Sequence, residues 1–126
     1  MISGIGVDLQ NCTEFNPAYL QEGDPFCSRT FSQREQNEAS SRPDPADYFA
    51  GRFCAKEAVF KALTVHAERI DLREIEILTG EFGEPTVFLS GQARKAAETQ
   101  NIERVLISLS HSGSFVTAFA VAQTKE

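Results

Sequence analysis

Apolar and polar positions fall into short blocks along this chain. Ile2-Ser3-Gly4-Ile5-Gly6-Val7-Asp8-Leu9 is a largely apolar run and predicts a strand. Two glycines inside it cost stability and permit close approach of another backbone or a ligand. Residues 10 to 30 are mixed, with a short helix opening at Asn16-Pro17 and a break at Gly23-Asp24-Pro25. Ser32 with Glu35 three residues on has capping-box spacing, so a helix starts near Ser32. Ser40 to Pro45 is polar, holds two prolines and reads as a loop. Asp47 to about Leu63 is the clearest helix. Phe49, Phe53, Phe60 and Leu63 lie near one stripe, with Ala50 and Ala58 as small fillers. Asp71 to Leu78 alternates as a strand, Gly80 to Pro85 turns, and Thr86 to Leu89 is a second strand. Ser90 to Gln100 is a helix behind a Ser90 cap. Arg104 to Leu109 and Phe115 to Ala122 form a hairpin across His111-Ser112-Gly113-Ser114. The order is that of a single α+β domain over residues 1–126, without repeats.

At 126 residues the chain can bury one real core. Its 12 Lys+Arg against 18 Asp+Glu give a net charge of −6, which argues against a broad nucleic-acid or anionic-membrane surface but leaves room for one basic pocket. No stretch approaches the roughly 20 apolar residues of a membrane span, and the chain reads as cytoplasmic. Cys12, Cys27 and Cys54 form no CxxC pair and read as reduced thiols. With only His66 and His111 beside them, structural zinc is not expected.

Three places carry possible chemistry. Asp8 ends the apolar strand, where a carboxylate is costly to bury unless paired or on a cation. It is either a strand-end cap near solvent or a catalytic or metal-binding group. Glu57 and Lys61 lie four apart on one helical face. They are either a surface ion pair or, because Phe53 shares the stripe, a polar pair drawn toward the packed side. Arg52 and Lys56 make a neighbouring basic edge. A carboxylate and lysines beside an acidic strand end suit a divalent cation bridging phosphate oxygens. Ser108-Leu109-Ser110-His111-Ser112 follows a strand. Adjacent Ser110 and His111 point apart there, so no triad follows, and His111 is either a turn residue or a phosphate or proton-transfer group. Gly80 to Gly83 and Gly4-x-Gly6 lack the remaining residues of a phosphate loop or a dinucleotide fingerprint. The phenylalanines Phe26, Phe31, Phe49, Phe53 and Phe60 read as core or oligomer-interface residues.

In order and spacing these segments resemble the holo-acyl-carrier-protein synthase family, the small 4'-phosphopantetheinyl transferases. Gly4-Ile5-Gly6-Val7-Asp8-Leu9 looks like the N-terminal signature. Phe49-Ala50-Gly51-Arg52-Phe53-Cys54-Ala55-Lys56-Glu57-Ala58-Val59-Phe60-Lys61-Ala62-Leu63 looks like the second and most specific motif. Ile107-Ser108-Leu109-Ser110-His111-Ser112 resembles the third. The resemblance spans nearly the whole chain. It implies a small antiparallel sheet wrapped against a long helix, in a homotrimer with active sites between subunits. The implied reaction serves fatty acid biosynthesis: phosphopantetheine passes from coenzyme A, the co-substrate, to a serine of apo-acyl carrier protein, leaving 3',5'-ADP. By the same implication Asp8 and Glu57 bind Mg²⁺, and Glu57 and Lys61 are catalytic. Lys61 contacts the coenzyme A phosphates, aided by Arg52 and Lys56, with His111 near the nucleotide phosphates across the subunit boundary.

The chain also departs from that pattern. Glu14 stands where the family usually has a basic residue in the carrier-docking region. Phe82-Gly83-Glu84-Pro85 has Glu84 in place of the usual turn lysine. Thr64-Val65-His66 replaces a Gly-Thr-Gly. These changes imply altered carrier docking. The competing readings are a non-catalytic relative that binds carriers or serves as a subunit, and a metal-dependent phosphohydrolase that uses water as acceptor.

Overall fold

The computed structural model describes residues 1–15, 24–63 and 70–125, so the expected helix at Asn16-Pro17 and His66 lie outside the described residues. In chain order the elements are β1 (Ile2–Asn11), a 3-10 turn (Cys12–Glu14), α1 (Pro25–Thr30), α2 (Gln33–Ala39) and α3 (Pro45–Ala62). A second 3-10 turn (Leu72–Glu74), β2 (Ile75–Thr79), β3 (Pro85–Leu89), α4 (Gly91–Thr99), β4 (Ile102–Ser112) and β5 (Phe115–Thr124) follow. β1, β5 and β4 make an antiparallel sheet in the order β1-β5-β4, and β2 and β3 make a separate antiparallel pair. This is the expected α+β arrangement, with the long helix α3 lying on the three-stranded sheet.

The face of β1 that meets α3 is not its apolar one. Ile5, Val7 and Leu9 point outward and stay more than half exposed, while Gly6, Asp8 and Gln10 turn toward the helix. Gly6 permits this packing: a Cβ placed there would lie 1.9 Å from the Ala58 carbonyl oxygen of α3. Small residues do the same on β5, where Val116, Ala118, Ala120 and Ala122 are fully buried. The outer face of the sheet then carries Ile5, Val7, Leu9, Leu106, Phe115 and Phe119, each about half exposed.

α3 is buried almost all round rather than along one stripe. Ala50, Cys54, Ala55, Ala58, Val59, Ala62 and Leu63 join the main core with Ile75, Ile77, Ala93 and the β5 residues. Phe49 and Tyr48 belong instead to a second cluster with Cys27, Phe31 and Ala39, against which Phe15, Phe26 and Phe53 pack. Phe31 and Phe49 ring centroids are 4.6 Å apart, and Phe15 and Phe53 are 5.7 Å apart. Phe60 packs on the main core. The phenylalanines therefore divide between two cores joined by one helix.

Several boundaries differ from the sequence expectation, each for a local reason. Asp24-Pro25 begins a helix, as does Asp44-Pro45. Each aspartate accepts a backbone N–H, from Phe26 at 2.9 Å and Asp47 at 3.2 Å, and each proline sits in the first turn where its missing N–H costs nothing. Asp71–Glu74 is a capped 3-10 turn and not the start of a strand. The capping box at Ser32 and Glu35 is present in both directions. Ser90 occupies the cap position of α4 without a side-chain bond; the Glu74 carboxylate accepts the Gln92 N–H instead, at 3.2 Å. β4 and β5 run to a two-residue turn, with Gly113 at φ 59°. His111 is thus a strand residue paired with Val116. Cys12, Cys27 and Cys54 are all free. Among the described residues no helix is long and apolar enough to cross a membrane.

Candidate active site

The close packing of β1 on α3 brings three expected site residues together. Asp8 is mostly buried, and one carboxylate oxygen lies 3.2 Å from the Lys61 Nζ. Its other oxygen accepts the Gln10 side-chain amide at 2.7 Å. Lys61 also donates to the Val7 carbonyl at 2.9 Å, so its half-exposed ammonium is held over the strand. The Asp8 backbone is held from behind, its carbonyl accepting the Thr117 hydroxyl at 2.8 Å and the Cys54 thiol at 3.2 Å. Burial pushes the Cys54 thiol up to about 12, so it stays protonated and acts as a donor.

Glu57 stands one turn before Lys61 and is partly buried. Burial raises its carboxyl above the ordinary range, the Asp8 charge raises it further, and Lys61 opposes both. The three charged groups thus act on one another: two carboxylates and one ammonium at the junction of strand and helix. Mg²⁺ commonly takes one or two protein carboxylates and completes its shell with water and substrate phosphates. Asp8 and Glu57 are such a pair, two mutually repelling oxygen donors. Among the described residues no group of three or more His, Cys, Asp or Glu converges. The donor set therefore fits a cation shared with a phosphate ligand, not an all-protein cage.

Lys56 does not join this cluster, which corrects its expected place among the phosphate-binding residues. Its side chain has no exposed surface, and its Nζ is 2.7 Å from Glu35, also fully buried. The same nitrogen donates to the carbonyls of Ile75 at 2.6 Å and Leu72 at 2.8 Å. Glu35 in turn accepts the Ile77 N–H at 2.8 Å. An ammonium with all three donors spent inside the core ties α2, α3 and β2 together and has none left for a soluble phosphate.

Arg52 and His111 meet at a second place. Both line adjoining grooves of about 290 and 300 Å³, together with Arg42 and Leu109. His111 Nε2 lies 3.8 Å from Asp47, half exposed. Arg42 and Arg52 each donate to the Thr79 hydroxyl, at 2.7 and 2.9 Å. Both guanidinium groups also lie over the Tyr48 ring, at 5.2 and 4.6 Å from its centroid. The sequence reading missed Arg42, Tyr48 and Thr79. Arg42 stood in a stretch read only as loop, and Thr79 faces it from another element.

The two clusters occupy opposite edges of the sheet. Asp8 pairs with Ala118, and Ala118 pairs with Leu109 on the far side, so two strand spacings, roughly 10 Å, separate the edges. Glu84, the residue in the turn between β2 and β3, folds back to accept the Phe82 N–H at 3.0 Å and presents no cation to the groove.

Residues 4–120 match the family model described as the 4'-phosphopantetheinyl transferase superfamily. A holo-[acyl-carrier-protein] synthase of Natranaerobius thermophilus is 37% identical over 121 residues, covering 96% of this chain and 97% of that protein. Among solved structures, the holo-[acyl-carrier-protein] synthase of Neisseria meningitidis superposes with a TM-score of 0.87 at 33% identity, covering 98% of this chain and 100% of that one. A coenzyme A complex of the synthase from Chronobacterium ammoniagenes superposes with a TM-score of 0.78 at 29% identity, covering 98% of each chain.

Proposed function

Because the chain belongs to the 4'-phosphopantetheinyl transferase superfamily, we propose that its two polar clusters divide the binding and the chemistry of one reaction between them. In keeping with its likeness to holo-[acyl-carrier-protein] synthases, the protein transfers phosphopantetheine from coenzyme A to a serine of apo-acyl carrier protein, releasing 3',5'-ADP. The observation that carries the site assignment is the convergence of Asp8, Glu57 and Lys61 where β1 crosses α3.

Asp8 and Glu57 would hold Mg²⁺, which supplies positive charge to the pyrophosphate of coenzyme A when bound. Lys61 reaches the same pyrophosphate with its exposed ammonium. It withdraws negative charge as the carrier serine oxygen bonds to phosphorus and the bond to 3',5'-ADP breaks. The serine proton leaves in the same step, to Glu57 or to a metal-held water; the raised carboxyl of Glu57 supports the first. No bond to the protein forms, since the leaving group departs as a phosphate. Arg52 and His111, with Arg42, receive the nucleotide-side phosphate in the groove at the other sheet edge.

One chain carries both clusters about two strands apart, and the outer face of its sheet is apolar and half exposed. Assembly of three copies through that face would set the β1 edge of one beside the β4 edge of the next and bury the apolar surface. The active site is then completed between subunits.

The test is intact-mass analysis of a panel of apo-carriers incubated with the protein, coenzyme A and Mg²⁺. A gain of one phosphopantetheine group per carrier, with release of 3',5'-ADP, is expected. Nucleotide release without carrier modification would make the protein a phosphohydrolase, and no turnover would make it a non-catalytic relative.

A further inference from the structure

Two guanidinium groups that share one hydroxyl oxygen repel each other, and something must hold them. Glu38 sits between them. One carboxylate oxygen is 3.3 Å from Arg52 Nη2 and 3.9 Å from Arg42 Nη2. The same oxygen accepts the Tyr48 hydroxyl at 2.6 Å. The other accepts the Thr79 backbone N–H at 2.9 Å. The carboxylate is therefore fixed from α3 and from β2 before it touches either arginine. Arg52 is pinned as well: its side chain is 11% exposed, and its buried Nε has no acceptor. Glu38 is the carboxylate that touches both guanidinium groups, while Asp44 and Asp47 also line the groove and Asp47 lies beside His111.

We propose that Glu38 is a positioning residue that sets Arg42 and Arg52 as one receptor for a phosphate of coenzyme A. This rests on the reading of coenzyme A as the co-substrate. Arg52 and Lys61 are nine residues apart on α3, about 14 Å along its axis, so within one chain this receptor and the Lys61 ammonium do not share a phosphate. A receptor already aligned takes its ligand without reorganising two long side chains, which is where Glu38 acts. Removing the carboxylate leaves Arg42, the more exposed of the two, on the Thr79 hydroxyl and the Tyr48 ring without the anion that offsets the charge of Arg52.

The test is steady-state kinetics with coenzyme A varied, for the wild type, Glu38→Gln, Arg42→Ala and the double variant. Each single change is expected to raise the KM for coenzyme A about tenfold with kcat and the KM for the carrier nearly unchanged. The double variant is expected to be no worse than the poorer single one, because both remove the same receptor. Glu38→Asp restores part of the loss, and 3'-dephospho-coenzyme A shows little further loss in any variant. Additive losses, an unchanged KM or a lower KM in Glu38→Gln would overturn the proposal. Should Glu38→Gln fail to fold, Thr79→Val removes only the shared hydroxyl and must give the same KM signature. Calorimetry with 3',5'-ADP separates this inference from the reaction itself. A wild type that binds nucleotide but does not transfer fells the proposed function, whereas normal transfer with an unaltered KM in Glu38→Gln fells only the role of Glu38.

Discussion

The Lys61 ammonium is 3.2 Å from the Asp8 carboxylate and shares its other bond with the Val7 carbonyl, so one cation bridges backbone and side chain of the same strand. A lysine held in this way is aligned before any ligand arrives. Lys61→Met keeps the stem and removes the charge. It is expected to lower kcat by about 10²–10³, the usual cost of losing one aligned electrostatic donor. Single-turnover rates with saturating coenzyme A check it; a change confined to KM would assign Lys61 to binding alone.

Glu57→Gln removes a carboxylate while preserving shape and leaves Asp8 alone with Lys61. Mg²⁺-dependent transfer is expected to disappear, and the apparent Mg²⁺ affinity read by calorimetry in the presence of 3',5'-ADP is expected to fall. Full activity at limiting Mg²⁺ would remove Glu57 from the metal and base roles together.

The buried pair Lys56 and Glu35 predicts an asymmetry in stability. Lys56→Met leaves a carboxylate stranded in the core and is expected to cost about 3–5 kcal/mol in urea unfolding. Replacing both residues by apolar ones of similar volume is expected to recover part of that loss, the rest remaining because the Ile77 N–H and the Ile75 and Leu72 carbonyls lose their partners. Equal stability of the single and double variants would contradict this account.

Glu76 predicts an acid limb to stability. Burial pulls its carboxyl up, but the Arg34 and Ser32 hydrogen bonds outweigh it and hold it below the ordinary value of 4.5. The unfolded chain therefore binds this proton more readily than the native one. The stabilisation is complete above the ordinary pKa and is lost as pH falls through the native one. The urea midpoint is expected to drop on going from about pH 5 to about pH 3, and less steeply in Glu76→Gln. Parallel slopes in the two proteins would assign the acid limb to other groups.

Glu14 is exposed and lies directly after β1, close in sequence to Asp8. Glu14→Lys is expected to tighten binding to an acidic carrier severalfold at low ionic strength, with the gain fading as salt screens it. Dissociation constants at two salt concentrations measure this. No change at low salt would place the docking surface elsewhere.

Much of this arrangement was legible in the sequence. The capping box at Ser32 and Glu35 announced α2, and the glycines inside the first strand announced a close approach of a backbone or a ligand, which Gly6 makes to the Ala58 carbonyl. What the sequence concealed was the partner at a distance. Glu35 reads locally as a cap, yet it also closes a core ion pair with Lys56. Helical periodicity tells which residues share a face but not which face meets a core. Lys56 therefore read as a basic edge beside Arg52, although α3 is packed on nearly every side. The same limit applies to Arg42, whose role depends on Thr79 across another element. β1 inverted the usual rule, turning its glycine and carboxylate inward and its apolar residues outward.

The place where Gly6 meets the Ala58 carbonyl also bears on how the acidic pair is spaced. With no side chain in the gap, strand and helix meet backbone to backbone next to the residues that carry Asp8 and Glu57. The reach of the groups at positions 8 and 57 then sets what the two carboxylates can hold between them. A larger residue at position 6 would push strand and helix apart and move both carboxylates at once, so an inconspicuous glycine holds the spacing of the centre.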